Sequence, residues 1–299
     1  MVNKDIKYSA MYYDGQILSP ERLNTEIILD AESLSEKACA LNYAEFGRIE
    51  DGYVILHDNN DDQIIRVKPK LIVNAAGPWI DRVNGKFGLE TKYIGGTKGS
   101  HIIVDNPDLR TAIGDNEFFF ENKDGRIVLL FPFFDKVIIG TSDLAIDDPD
   151  KAFCTREEEQ YFIDLVKRVF PDIPILPEQI VFRFSGVRPL EYQHAKTTGQ
   201  ITRDHSIKED SVNGFRVLSL VGGKWTSYRA FGEQITDQVL EYIGQSRKKS
   251  TEELHIGGGV NYPQTAQAVG EYLESLRDKY QIDAKIIDML FERYGSVIE

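Results

Sequence analysis

The segment Leu218-Ser-Leu-Val-Gly-Gly-Lys-Trp-Thr-Ser-Tyr-Arg229 constrains this chain more than any other. It places a strand, two glycines and a helix start in direct succession. Exposed amides at a helix N-terminus, with Gly222 and Gly223 allowing close approach, make a site for an anion or a polar ring. A plain glycine turn with Thr226 as the N-cap accounts for the same residues, because glycine loops before helices are common. A second segment has a similar build. Leu71-Ile-Val-Asn-Ala-Ala-Gly-Pro-Trp79 runs a strand into small residues, where nothing larger than a methyl at Ala76 or Gly77 blocks a flat ligand. An ordinary strand-to-turn with a packing glycine fits it equally well.

Two further segments carry groups suited to chemistry. Gly96-Thr-Lys-Gly-Ser-His101 opens a strand, and an imidazole that titrates near neutrality can take a proton from a substrate hydroxyl. Lone histidines are more often structural, and His57, His194 and His255 start from similar or poorer odds. His205 follows Arg203 and Asp204, which favours it slightly. Phe184-Ser-Gly-Val-Arg-Pro-Leu190 ends a strand with arginine before proline. Pro189 holds Arg188 extended, so that its guanidinium can project into a cavity as a fixed, forked donor. With Arg203 and Lys224 this makes three cations for one pocket, or three surface charges each with a nearby acid.

The remaining pattern is of mixed type. Apolar spacing after Ser19-Pro20 predicts a helix over residues 20–35, and strands follow at 38–46, 53–57, 63–67 and 71–74. A second β-rich block covers 98–104, 117–121, 126–131 and 136–141, with Lys123-Asp124-Gly125 as a hairpin turn. Acidic residues at the start and basic residues at the end mark a helix over 155–170. Strands at 180–188 and 215–221 bracket a polar loop, and a helix runs from about 226 to 243. The basic, polar stretch near 244–251 reads as a linker into helices at 263–279 and 284–294. The expected fold is therefore α+β or α/β.

Composition excludes several classes. Hydrophobic residues make up 41% and charged residues 28% of the 299, an ordinary globular balance. A net charge of -13 opposes non-specific nucleic-acid binding, while leaving room for a local cationic pocket. The two cysteines, Cys39 and Cys154, fit a reducing compartment and form neither a disulfide framework nor a zinc site. No apolar run is long enough to span a bilayer, and MVNKDIKYSA is unlike a signal peptide. There is no GxGxxG after an early strand, and no P-loop, HExxH or GxSxG.

Taken in order, YYDGQ, VNAAGPW, KGSHIIV, GTSD, SGVRPL, ITRDHS and VGGKWTSYR resemble the FAD-dependent glycerol-3-phosphate dehydrogenases, members of the larger D-amino-acid-oxidase-like flavoprotein group. The similarity runs from about Tyr12 to the end. It implies oxidation of sn-glycerol 3-phosphate to dihydroxyacetone phosphate with FAD, electrons passing to quinone or another acceptor. It implies His101 as the catalytic base, Arg188 beside the substrate oxygen, and Arg203 and Lys224 on the phosphate. Ala76, Gly77, Gly222, Gly223, Lys224 and Thr226 fall where the family contacts flavin.

The resemblance also implies a β-rich substrate-binding region with part of a Rossmann-like FAD domain at 1–250, then the start of a C-terminal helical domain at 251–299. The family's N-terminal βαβ unit with GxGxxG does not precede Tyr12, so the expectation is a fragment that binds FAD weakly and is inactive alone. Family membership further suggests a cytoplasmic protein attached peripherally to the inner face of the membrane. Competing readings are a related flavin oxidase of an amine or hydroxy acid, whose substrate carries a carboxylate, and a folded module without activity.

Overall fold

The computed structural model describes residues 2–17, 19–122, 127–193 and 201–298. In chain order the elements are α1 (Pro20–Ser33), β1 (Ala44–Glu50), β2 (Tyr53–Asp58), β3 (Ile64–Val67), β4 (Ile72–Asn74), α2 (Ile80–Phe87), β5 (Thr97–Val104) and α3 (Pro107–Ile113). Then come β6 (Phe118–Glu121), β7 (Ile127–Phe133), β8 (Lys136–Gly140), β9 (Leu144–Ala145), α4 (Arg156–Val169), β10 (Ile180–Arg188), β11 (His205–Val212) and β12 (Phe215–Gly222). The helices α5 (Tyr228–Tyr242), α6 (Ala266–Tyr280) and α7 (Ala284–Tyr294) complete the chain. The fold is mixed α and β, as expected from the sequence.

The chain divides into two compact units, residues 1–10 with 45–246 and residues 11–44 with 247–299. In the first unit a sheet of order β10-β5-β8-β7-β6, with β9 paired to β5, carries the main core. Strand alternation sends Ile102, Val104, Val128, Leu130, Val137 and Ile139 to one face of it. That face packs on Phe162, Leu165, Val166 and Val169 of α4. The helix starts where the sequence indicates: Thr155 Oγ1 accepts from Glu158 N, the Glu158 carboxylate accepts from Thr155 N, and three glutamates fill the first turn. Two smaller sheets, β1-β2-β3 and β11-β12-β4, complete the unit.

In the second unit α6 and α7 bury Leu276, Ile287 and Phe291, with Tyr262 stacked on Phe291. The helix α1, far from them in sequence, groups with them. Arg22 lies over the Tyr294 ring, and Asp30 accepts a hydrogen bond from Gly257 N at 2.8 Å.

Three local expectations are corrected. Extended structure begins at Ala44 rather than 38, because Tyr43 takes a positive φ of 57° that ends any earlier strand. The polar loop before residue 215 contains a strand: β11 pairs antiparallel with β12 from His205–Gly222 to Val212–Phe215. Its alternation is masked by polar side chains, and the Asn213-Gly214 turn, with both φ positive, is what brings it back along β12. Helix α5 starts at Tyr228 with Ser227 at the cap position, so Thr226 is not its N-cap. The Lys123-Asp124-Gly125 turn and His194 lie outside the described residues.

Candidate active site

The face of the main sheet opposite α4 gathers the chemistry. Strand β10 runs antiparallel to β5, with Phe184 opposite His101, Gly186 opposite Gly99 and Arg188 opposite Thr97, while Gly140 of β8 faces His101 from the other side. Residues paired across strands share a face, and alternate residues along one strand do too. His101, Gly99, Gly140, Phe184 and Arg188 therefore lie on one surface.

The His101 ring stacks on Phe184 with centroids 4.8 Å apart and planes 6° from parallel. It also lies over Gly140, where a Cβ would collide with the imidazole. Its Nδ1 is buried without a hydrogen-bond partner. Burial, helped by the nearby Arg188 cation, pushes the imidazole down to about 4, so it is neutral near pH 7.

Arg188 lies over Gly99, another position where a Cβ would meet the guanidinium. Its Nη2 donates to Thr141 Oγ1 at 3.0 Å and its Nη1 to Asp143 Oδ1 at 3.2 Å, with Ser142 O accepting from both at 3.4 Å. Burial and the neighbouring Arg203 lower its pKa, and Asp143 opposes them. Arg203 is exposed, close enough to repel Arg188, and starts the segment leading into β11.

The glycine turn reaches the same place. Gly222 N donates to Pro189 O at 3.0 Å, and a Cβ on Gly222 would run into Asp204 O, so the Arg188-Pro189 bend, Gly222 and Arg203-Asp204 adjoin. Because β4 pairs parallel with β12 (Val217–Ile72 to Ser219–Asn74), Ala76-Gly77 and Gly222-Gly223 leave the pair at one end. The turn Gly77–Trp79 lies beside both β10 and β12.

Buried Asn74 holds the first turn. It accepts from Ala76 N at 3.2 Å and donates to Ile80 O at 3.0 Å and Asn84 Oδ1 at 2.8 Å, and Asn84 in turn donates to Ser219 Oγ at 3.2 Å. Lys224 and Thr226 follow the second turn and are exposed; the Lys224 ammonium makes no ion pair among the described residues. The structure thus brings His101, Arg188, Arg203 and Gly222 together, and leaves Lys224 and Thr226 on the rim of the turn.

Reading the sequence missed Thr141, Ser142 and Asp143 as the acceptors of Arg188, and Phe184 as the stacking partner of His101. Alternation along β10 signals Phe184. The 141–143 contact has no local signal, since it depends on β8 and β10 both flanking β5.

These residues fit a flat, polar cofactor. Gly77 and Gly223 have positive φ, and a Cβ at Gly77 would meet nothing within 4 Å, so the Ala76-Gly77 turn stands open at the end of the parallel pair, while Gly222-Gly223 packs closely against Asp204 O and Phe231. Side chains there would fill the approach that a ring system needs.

Comparison with known proteins agrees. The chain is 33% identical to a glycerol-3-phosphate dehydrogenase of Synechocystis sp. over 98% of its own length and 55% of the relative's. It is 30% identical to the aerobic glycerol-3-phosphate dehydrogenase of Staphylococcus aureus (strain USA300), over 78% of this chain and 42% of that one. The chain thus spans about half the length of the curated relatives it matches. A solved glycerol-3-phosphate dehydrogenase from Bacillus halodurans, complexed with FAD, superposes with a TM-score of 0.75 at 25% identity, covering 92% of this chain and 54% of that one. The sequence model of the DAO family, FAD dependent oxidoreductase, matches residues 2–238, a span that contains every strand of the sheets described above. By that match, which covers well over half of its length, the chain belongs to the FAD-dependent oxidoreductase family.

Proposed function

We propose that this chain supplies the substrate side of a flavin-dependent oxidation of sn-glycerol 3-phosphate to dihydroxyacetone phosphate. The observation that carries the reading is His101, stacked on Phe184, beside the Arg188 guanidinium on the sheet face opposite α4. Bound FAD supplies the acceptor for the hydride that leaves the alcohol carbon. Ala76, Gly77, Gly222 and Gly223 would hold it, with Lys224 and Thr226 at the edge.

His101, as the neutral imidazole, takes the hydroxyl proton. Arg188, its guanidinium held along one edge by Thr141, Ser142 and Asp143, stabilises the oxygen as negative charge grows there. Arg203 and Lys224 bind the phosphate, for which a dianion next to the Arg188–Arg203 pair also relieves their mutual repulsion. Phe182 and Phe184, partly exposed on the same face, keep water from the reacting carbon. Onward transfer to quinone or another acceptor, and attachment at the cytoplasmic face of a membrane, belong to the same proposal. Among the described residues no helix is long and apolar enough to cross a membrane.

Anaerobic mixing of glycerol 3-phosphate with the FAD-loaded protein, extended at its N-terminus by the family's GxGxxG unit, tests the reading. Bleaching of the visible flavin absorbance by glycerol 3-phosphate, and not by amino or hydroxy acids, is the expected result. Bleaching by an amine or hydroxy acid alone would favour the related oxidase instead.

A further inference from the structure

Behind the site, on the α4 side of the sheet, an ion pair is buried that the chemistry above does not use. Lys98 and Glu158 meet at 2.7 Å with side chains only 8% and 5% exposed. Both members of the pair make further contacts. Lys98 Nζ also donates to Phe153 O at 2.7 Å, and Glu158 Oε2 accepts from Thr155 N at 2.8 Å. Glu158 Oε1 accepts from the Ser142 hydroxyl at 2.6 Å, and that hydroxyl accepts from Ser100 N at 2.9 Å.

A buried ion pair is a poor source of stability, because desolvating two charges cancels most of their attraction and apolar residues of the same size often serve as well. What such a pair can do is fix geometry. The group it fixes here is Ser142, 1% exposed, whose carbonyl accepts from Arg188 and whose neighbours Thr141 and Asp143 accept from it as well. Ser100 and Lys98 alternate with Gly99 and His101 on β5, so the same strand carries the fastening on one face and the reacting groups on the other.

We infer that Glu158, held by Lys98, is a positioning residue that acts through the Ser142 hydroxyl to set the 141–143 segment and with it the orientation of the Arg188 guanidinium. The functional consequence rests on Arg188 facing the substrate as proposed above. The positioning itself needs neither flavin nor substrate, and so can be read independently.

The test uses this chain with isotopically labelled arginine, the Arg188 side-chain signal being assigned by its loss in Arg188→Lys. Two variants are compared with the parent. Lys98→Met/Glu158→Met replaces the pair by apolar groups of similar size and leaves no unpaired charge. Ser142→Ala removes only the connecting hydroxyl. Hydrogen exchange of the Arg188 Nη protons should rise at least about tenfold in both, beyond any rise in Thr155→Ala, which weakens the same helix cap and leaves the Ser142 hydroxyl in place. Combining all three substitutions should add nothing further, because both break one chain of contacts. In the FAD-loaded enzyme kcat should fall while KM changes little.

Wild-type exchange at Arg188 in both variants would overturn the inference, as would fully additive effects in the combined variant. If Arg188 loosens as expected but Arg188→Lys turns over normally, the positioning stands and the proposed role of Arg188 in catalysis fails.

Discussion

The Arg188 guanidinium lies over Gly99, two residues before His101 on the same face of β5, and its charge helps keep that imidazole neutral. One cation thereby serves two ends. In the proposed reaction it would offer donors to a developing oxyanion, and it leaves the neighbouring histidine neutral near pH 7.

The depressed His101 pKa makes stability depend on pH in a defined window. Unfolded, the imidazole binds a proton near 6.5; folded, only at about 4. Between those values the unfolded state holds the extra proton, so its contribution is complete above about pH 6.5 and is lost as pH falls toward 4. The loss is up to about 3 kcal/mol for 2.5 units. Urea unfolding at several pH values should show it, and His101→Gln should flatten that part of the profile.

Entry of an anion should reverse the bias. Inorganic phosphate or glycerol 3-phosphate beside Arg188 and Arg203 offsets the cation that disfavours imidazolium, so the His101 midpoint should rise by about one unit or more. Titration of the His101 ring signals with and without the anion measures this. An unchanged midpoint would place the anion elsewhere.

Gly140→Ala puts a methyl into the His101 ring. The close-packed strand cannot absorb it, and the expected cost is about 2 kcal/mol with displacement of the imidazole from Phe184. Urea midpoints and the His101 ring shifts report the two effects separately.

The two arginines should separate in kinetics. Arg188→Lys loses the forked contacts to Thr141 and Asp143 and should lower kcat by about a hundredfold. Arg203→Ala removes an exposed cation, the proposed phosphate ligand, and should mainly raise KM, by about tenfold. Steady-state rates of the FAD-loaded enzyme decide. Equal losses of kcat from both would contradict the division of roles.

Asn74→Ala removes the acceptor of Ala76 N and two buried donor contacts. Leaving those partners unsatisfied should destabilise by about 2–3 kcal/mol and weaken retention of FAD at the Ala76-Gly77 turn. Thermal melting and flavin retention after desalting measure both.

Much of the site was legible locally. A strand ending in Ala-Ala-Gly and another ending in Gly-Gly can be read from residue size alone, and Pro189 restricts Arg188 within its own dipeptide. The boundaries of α4 followed from its end charges, which act within one turn. Strand β11 was not legible, because its side chains are largely polar and its extended form depends on pairing with β12. Nor was the link of α1 with α6 and α7, since the partners lie more than two hundred residues apart, as Asp30 and Gly257 do.

Legible along the chain alone is a set of chemical types on short, directional segments: a histidine in a strand, an arginine before a proline, small residues where a ring could lie, and the order of motifs that marks the family. The tertiary structure decided which of them meet. Antiparallel pairing of β5 with β10 set Arg188 beside His101, and the parallel pairing of β4 with β12 turned two glycine bends toward one end. Register between strands distant in the chain is fixed by core packing on the other face, so no local pattern could specify it.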